Sequence, residues 1–187
     1  MIFLDKYNNK KNIRFNSFKK TLDICNLRDC KIIVETGTSR GKNRFFFFNT
    51  FNWKDGMSTP MFAEYANFIN GELHSCDIDI NNIKISKKFT KKYSNHVYYY
   101  NLDSVLFLKN FPKKIDLLYL DSLDGHNIKN ASIHQLNEIK NSINKLHNNS
   151  LILLDDKGTK TNLSISFIKQ FGFKIIFETK YQVLFSK

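Results

Sequence analysis

The chain has 187 residues, of which 42% are hydrophobic and 25% charged, a composition typical of one folded domain. No apolar stretch approaches the roughly 20 residues that a membrane-spanning helix needs, which argues against a membrane partner. Lysine and arginine outnumber aspartate and glutamate by 29 to 17, for a formal net charge of +12. This excess is compatible with a nucleic-acid partner, but the basic residues are scattered, and an A+T-rich genome also enriches lysine.

The three cysteines are odd in number and contain no CxxC pair. They are Cys25, Cys30 and Cys76. Such cysteines are typical of buried thiols in a reducing compartment, so we expect a cytoplasmic protein.

The predicted elements alternate between helices and strands within a single domain over 1–187, which begins with a polar surface arm over 1–15. The amphipathic segments that predict helices lie at 16–27, 58–70, 81–93, 103–108, 127–147 and 161–171. The apolar runs that predict strands lie at 31–35, 72–78, 96–101, 115–120, 150–154, 173–178 and 181–185. This alternation predicts an α/β fold with a parallel sheet that is buried on both faces and closed by a hairpin.

Acidic residues follow the predicted parallel strands. These residues are Glu35, Asp77, Asp103, Asp121 and the pair Asp155-Asp156. In open α/β sheets, ligands bind outside the carboxyl ends of the strands. One such carboxylate is often only a helix cap, but its recurrence after all five strands predicts a binding site at this edge.

The first strand runs into a turn of small residues, Glu35 to Gly41. Such a turn presents backbone N–H groups to a ligand. At this point the chain, from about residue 30 to 187, resembles the class I S-adenosylmethionine-dependent methyltransferases. The turn looks like their first motif, with Ser39 where many members have a glycine. The chain lacks the full GxGxxG of nicotinamide-binding domains.

The resemblance implies S-adenosylmethionine as cofactor and a Rossmann-like seven-stranded sheet. That sheet would have five parallel strands and a C-terminal hairpin with one antiparallel strand, with helices on both faces. Asp77 would hold the ribose hydroxyls, and Asp103 with Ser104 would lie near the adenine. The implied cofactor-binding residues are Glu35, Thr36, Gly37, Thr38, Ser39, Gly56, Ser58, Asp77, Ile78, Asp103, Ser104 and Asp121.

Within this class the pattern is most similar to the catechol-type O-methyltransferases and to the related group acting on sugars and antibiotics. Their first motif, Glu-x-Gly-x-x-x-Gly-x-Ser, is completed here only if Gly56-Met57-Ser58 supplies its end. The segment 42–57 is then an aromatic insertion within the cofactor loop. The helix beginning at Ser58 would receive the methionine carboxylate. Alternatively, Ser58 and Thr59 only cap that helix.

The same resemblance implies a divalent cation, most simply Mg²⁺, held by Asp121, Asp155 and Asp156. The alternative is that these carboxylates bind nothing. Catechol-type enzymes place a lysine base where this chain has Asp124, so His126 becomes the candidate base, and the predicted catalytic residues are His126, Asp124 and Asp121. His134 and His147 are expected at the surface.

The aromatic residues over 45–53 have three interpretations: a lid over the site, extra core or a homodimer contact, or a stacking surface for nucleic-acid bases. The leading functional hypothesis is O-methylation of a small molecule or sugar with metal assistance. The alternatives are an RNA or DNA methyltransferase, although no N-P-P-Y-like motif is present, and a non-catalytic protein that binds the cofactor.

Overall fold

A seven-stranded sheet forms the centre of the computed structural model, which describes residues 1–40, 42–45, 48–53 and 56–187. For 42–45 and 48–51 the structure describes the backbone alone. The strands are β1 Ile32–Thr36, β2 Lys42–Phe45, β3 Phe48–Phe51, β4 Glu72–Cys76, β5 Val97–Tyr100, β6 Ile115–Leu120, β7 Leu146–Leu154, β8 Lys174–Glu178 and β9 Val183–Ser186. The helices are α1 Phe15–Leu27, α2 Ser58–Phe68, α3 Ile80–Phe89, α4 Ser104–Asn110, α5 Ile128–Ser142 and α6 Asn162–Gln170.

The sheet has the strand order β5-β4-β1-β6-β7-β9-β8, and β2 pairs with β3 in a separate antiparallel hairpin. Strands β5, β4, β1, β6 and β7 are parallel, whereas β9 is antiparallel to both β7 and β8. The predicted α/β fold, with five parallel strands and a closing hairpin, is therefore confirmed. The order places β1 and β6 side by side at the centre, so the loops that follow them meet.

Alternate residues of the central strands pack on opposite faces of the sheet. In β6, Leu117 and Tyr119 face α1 and α2, while Leu118 and Leu120 pack on the face covered by α4, α5 and α6. All four side chains are completely buried. This burial on both faces explains why the strand is a continuous apolar run, and why the predicted bounds 115–120 are those observed.

The N-terminal segment is not the irregular surface arm that the sequence predicts. Ile2–Tyr7 forms a 3-10 helix in which Leu4 and Tyr7 are buried. The Tyr7 hydroxyl donates a hydrogen bond to Glu64 of α2 at 3.1 Å. The polar composition of the segment obscures two apolar side chains three residues apart, which lie on one face of a 3-10 turn.

The buried face of α5 is more polar than its sequence pattern predicts. Ile128, predicted on the core face, is 51% exposed, whereas Gln135 and Glu138 are buried. The helix also ends at Ser142, and β7 begins at Leu146, four residues before the predicted strand.

Among the described residues, none of the helices has both the length and the apolar character that crossing a membrane requires.

Candidate functional site

The loop after β1 lies against the chain that leaves β6. Gly37 has φ +82°, and a Cβ atom built on it would lie 2.2 Å from the carbonyl oxygen of Asp121. The Gly37 N–H donates to the carbonyl of Cys76 at the end of β4, at 2.8 Å. Only glycine combines this backbone conformation with such a close approach.

Asp77, directly after β4, holds the next residue of this loop. Its Oδ2 accepts hydrogen bonds from the backbone N–H of Thr38 at 3.0 Å and from the Thr38 hydroxyl at 2.9 Å. Its Oδ1 accepts from the N–H of Asp79 at 2.8 Å, and Asn82 of α3 donates to both oxygens at 3.3 and 3.2 Å. The carboxylate is therefore fixed in orientation before any ligand binds.

Ser39 joins the loop to two helices. Its N–H donates to the Thr59 hydroxyl at 2.8 Å, and its own hydroxyl accepts from the Thr59 N–H at 3.1 Å. From α3, the Ser86 hydroxyl donates to the Ser39 carbonyl at 2.7 Å. These bonds make the loop a rigid part of the sheet edge.

Glu35 is completely buried beneath this loop. Its carboxylate accepts hydrogen bonds from the hydroxyls of Ser58 at 2.5 Å, Ser75 at 2.6 Å and Thr59 at 2.8 Å. Burial raises the pKa of Glu35 to about 7, although the three hydroxyl donors oppose that rise. The carboxylate therefore links β1, β4 and α2 from inside the protein.

The predicted helix cap at Ser58 and Thr59 is wrong. The N-cap residue is Met57, at φ 54°, and it makes no side-chain cap hydrogen bond. Both hydroxyls donate inward to Glu35 instead, because a buried carboxylate accepts hydrogen bonds more strongly than a neutral group does.

A cavity of about 670 Å³ opens above this loop, at the carboxyl ends of β1, β4 and β6. The predicted site residues that line it are Gly37, Thr38, Ser39, Ser58, Asp77, Ile78, Asp103, Ser104, Asp121, Asp124 and His126. The predicted residues outside its described wall are Glu35, Thr36, Gly56, Asp155 and Asp156. Gly56 lies against α1 instead, where an added Cβ would be 3.0 Å from the Phe18 ring.

The wall of the cavity is rich in carboxylates. Those that line it are Asp77, Asp79, Asp103, Asp121 and Asp124. Arg40 also lines it and forms a two-pronged ion pair with Asp124, at 2.8 and 3.1 Å, between the loops after β1 and β6. This ion pair lowers the pKa of Asp124. The acidic lining favours a ligand with positive charge.

His134 is a cavity residue that the sequence places at the surface. It is half-buried on α5, and its Nε2 lies 2.9 Å from the Ser104 hydroxyl and 3.8 Å from Oε1 of the buried Glu138. Burial raises the pKa of Glu138. His134 and Glu138 are four residues apart, so they lie on the same face of α5. This spacing is the sequence signal for their contact, but the pattern of apolar residues in the helix draws attention to a different face.

The three carboxylates predicted to bind metal do lie together. Single oxygens of Asp121, Asp155 and Asp156 lie within 4.8 Å of one another. However, the Arg14 Nε donates to both oxygens of Asp155 at 2.7 and 2.8 Å, and Nη2 donates to Asp156 at 3.0 Å. Lys160 donates to Asp121 at 2.7 Å and pairs with Asp156 at 3.0 Å.

The protonation of this cluster follows from its contacts. Burial lowers the pKa of Lys160, but Asp121 and Asp156 outweigh that effect and raise it. Burial and the adjacent Asp121 raise the pKa of Asp155, and Arg14 opposes them. The two hydrogen bonds from Arg14 to the oxygens of Asp155 stabilise its ionised form against this effect of burial. The cluster consequently does not fit a divalent cation as it stands.

The aromatic insertion is described only in part. Strands β2 and β3 form its hairpin, and Trp53 packs against the core cluster that contains α1 and α2. Gly41, Phe46, Phe47, Lys54 and Asp55 lie outside the described residues, as do the other phenylalanine side chains of 45–51. The lid, interface and base-stacking interpretations of this segment therefore stay predictions.

The fold is that of the class I methyltransferases, as comparison with solved structures shows. The O-methyltransferase NovP matches with a TM-score of 0.62 and 9% identity, over 93% of this chain and 79% of NovP. The SAH-bound methyltransferase PaMTH1 of Podospora anserina matches with a TM-score of 0.58 and 14% identity, over 88% and 75%. The fibrillarin pre-rRNA processing protein of Methanococcus jannaschii matches with a TM-score of 0.55 and 12% identity, over 84% and 66%.

At these identities the likeness shows the fold alone. No protein-family model and no curated protein matches the sequence. The matched structures carry names that refer both to O-methyl transfer and to pre-rRNA processing. The comparison therefore does not distinguish the catechol-type group from the others.

Proposed function

We propose that the chain transfers a methyl group from S-adenosylmethionine to an oxygen of a small molecule or of a sugar. The observation that carries this proposal is the acidic cavity at the carboxyl ends of β1, β4 and β6, with its rigid glycine-containing loop. S-adenosylmethionine has a net positive charge, from a sulfonium, an ammonium and a single carboxylate. An acidic wall of this kind complements that charge. When bound, the cofactor supplies an electrophilic methyl group on a positively charged sulfur.

The roles of the binding residues follow from their positions. Asp77 is held by Thr38 and Asn82, and it would accept the ribose hydroxyls along the same edge of the sheet. Ser104 and Asp103 begin α4 at the end of the cavity assigned to the adenine, where His134 supports Ser104. Because the partners of these side chains come from the chain itself, little ordering is required when the cofactor binds.

The acceptor oxygen must lose its proton as it attacks the methyl carbon. His126 is exposed, lines the cavity and is the group we assign to accept that proton. Asp121 lines the same wall and is held by Lys160 and by the Tyr119 hydroxyl, at 2.7 and 3.1 Å. Asp124 would orient the loop between Asp121 and His126 through its ion pair with Arg40.

Methyl transfer is tested with labelled S-adenosylmethionine and a panel of phenols, catechols, sugars and aliphatic alcohols. We expect label in at least one hydroxyl compound, and we expect His126→Ala to lower kcat about 100-fold while the affinity for the cofactor stays unchanged. Binding of cofactor without transfer to any acceptor would favour the non-catalytic alternative. A kcat unaffected by His126→Ala would contradict the assignment of the base.

RNA is a second candidate acceptor because one surface of the protein is strongly basic. Lys84, Lys87, Lys88, Lys91 and Lys92 are all exposed, and no acidic residue occurs between 80 and 96. The first of these lysines, Lys84, lies two residues after Asn82, which lines the cavity. A structured RNA that binds with an affinity falling steeply with salt would support this candidate, and Lys87→Glu with Lys88→Glu should weaken that binding.

A further inference from the structure

The carboxylate cluster of Asp121, Asp155 and Asp156 contains two cations from the chain itself. Arg14 is the residue that directly precedes α1, and Lys160 lies in the loop between β7 and α6. Arg14 is distant in the sequence, since 141 positions separate it from Asp155, whereas Lys160 lies four residues after Asp156. The tertiary fold brings Arg14 to the cluster and brings Lys160 to Asp121.

All six carboxylate oxygens of the cluster have a partner. Arg14 occupies both oxygens of Asp155 and one oxygen of Asp156. Lys160 occupies the other oxygen of Asp156 and one oxygen of Asp121. The hydroxyl of Tyr119 donates to the remaining oxygen of Asp121 at 3.1 Å. A metal ion would therefore share every oxygen that it bound with a donor that is already in place, and most of these donors are positively charged.

The two cations are also enclosed. The Lys160 side chain is 3% exposed, the Arg14 side chain is 13% exposed, and Asp155 is not exposed at all. If a divalent ion took the carboxylates, both cations would stay near it without their partners. That arrangement is unfavourable because it combines repulsion from the ion with an uncompensated buried charge.

We propose that Arg14 and Lys160 are the resident cations of this cluster, that they exclude a divalent ion from it, and that Lys160 holds Asp121 in position at the cavity wall. Lys160 is a positioning residue, since it contacts Asp121 and does not line the cavity. The proposal departs from the metal-assisted reaction that the sequence predicts. The binding of metal to the cluster can be measured without any methyl transfer, so this proposal and the proposed function fail separately.

The test is calorimetric titration of Mn²⁺ into the whole chain, with Lys160→Met as the variant and Lys157→Met as the matched control. Lys157 is a more exposed lysine three residues earlier, and it pairs with Glu178. We expect the wild type and Lys157→Met to bind no Mn²⁺ at millimolar concentration. Lys160→Met should bind Mn²⁺ with a dissociation constant at least about tenfold below that millimolar limit. The reason is that a unit positive charge about 4 Å from the divalent ion has been removed.

Two further variants connect the result to the cluster. Lys160→Arg keeps the charge and should bind no Mn²⁺ in the titration. Asp156→Asn in the Lys160→Met background should lose the Mn²⁺ binding that Lys160→Met gained. Lys160→Gln replaces Lys160→Met if circular dichroism shows that the latter does not fold. The proposal is overturned if the wild type binds Mn²⁺ in a manner that Asp156→Asn abolishes. It is equally overturned if a folded Lys160→Met or Lys160→Gln protein stays silent.

Discussion

The buried carboxylate of Glu35 and the partly buried cluster of Asp121, Asp155 and Asp156 lie at the same edge of the sheet, and they are held by different kinds of partner. Glu35 at the end of β1 accepts three hydrogen bonds from neutral hydroxyls. The cluster after β6 and β7 is held by Arg14 and Lys160. One side of the site is therefore built from neutral donors and the other side from charged donors.

The difference shows what each kind of donor does for a buried charge. Three hydroxyls do not offset the burial of Glu35, and its pKa is raised to about 7. At Asp155 the opposing partner is a full positive charge, because the Arg14 guanidinium donates to both carboxylate oxygens. We call Glu35 and its hydroxyl donors the neutral network, and the cluster with Arg14 and Lys160 the charged network. The stability of the neutral network thus changes with pH near neutrality, whereas the stability of the charged network depends on its two cations. The predictions that follow remove one partner at a time.

The largest effect is expected for Arg14→Met. This variant leaves Asp155 completely buried without the guanidinium that contacts both of its oxygens, and it should lower the free energy of unfolding by about 4 kcal/mol. Arg28→Met is the control, since among the described residues the hydrogen bonds of the Arg28 side chain go to neutral acceptors, the Asn149 carbonyl and the Ser186 hydroxyl. Its loss should be about 1 kcal/mol. Urea unfolding measures both variants. Equal losses of unfolding free energy in Arg14→Met and Arg28→Met would mean that the charged network contributes little to stability.

Gly37→Ala tests the contact between the loop and Asp121. An added Cβ would lie 2.2 Å from the Asp121 carbonyl oxygen, so strain and overlap together should lower the free energy of unfolding by about 3 kcal/mol. Gly158 has nearly the same φ, +85°, and no atom of the part of the chain that the structure describes lies within 4 Å of a Cβ added there. Gly158→Ala should therefore lose only about 1 kcal/mol. Similar melting temperatures for the two variants would contradict the close approach.

Glu35→Gln tests the neutral network through pH. The folded protein holds the Glu35 proton up to a pKa of about 7, above the ordinary value of 4.5, so ionised Glu35 destabilises the fold as pH rises between those values. The unfolding free energy of Glu35→Gln, relative to wild type, should rise by about 3 kcal/mol across this window. A difference for Glu35→Gln that does not change with pH would refute the raised pKa of Glu35.

The smallest effect is expected for Asp124→Asn at the mouth of the cavity. Its ion pair with Arg40 joins side chains that are 45% and 53% exposed, so solvent screens it. The free energy of unfolding should change by less than about 0.5 kcal/mol. Chemical denaturation at low and high salt measures this change. A loss as large as that of Arg14→Met would show that the two ion-pair networks are equivalent.

The sequence predicts the parts of the fold that depend on local pattern. The buried strands are continuous apolar runs, and each is followed by an acidic residue, so the α/β alternation and the ligand edge follow directly. Asp77, Asp121 and the Gly37 turn were all placed at that edge, and the structure brings them to one cavity.

The missed features depend on partners that are distant in the sequence. A hydroxyl at Ser58 fits a helix cap as well as a bond to a buried carboxylate, and only the tertiary structure shows that the partner is Glu35. The role of Arg14 had no sequence signal, because its carboxylates lie beyond residue 150. Apolar spacing assigned Ile128 to the core of α5, but polar Gln135 and Glu138 are buried there instead.

The most direct test of the account is calorimetric titration of S-adenosylhomocysteine into the whole chain and two variants. Asp77→Asn alters the cavity wall, whereas Asp116→Asn alters a carboxylate at the opposite end of β1, where it accepts from the N–H groups of Lys31 and Ile32. We predict one binding site in the wild type, unchanged affinity in Asp116→Asn, and affinity lowered about tenfold or more in Asp77→Asn. Absence of binding to the wild type at high micromolar ligand would contradict the account.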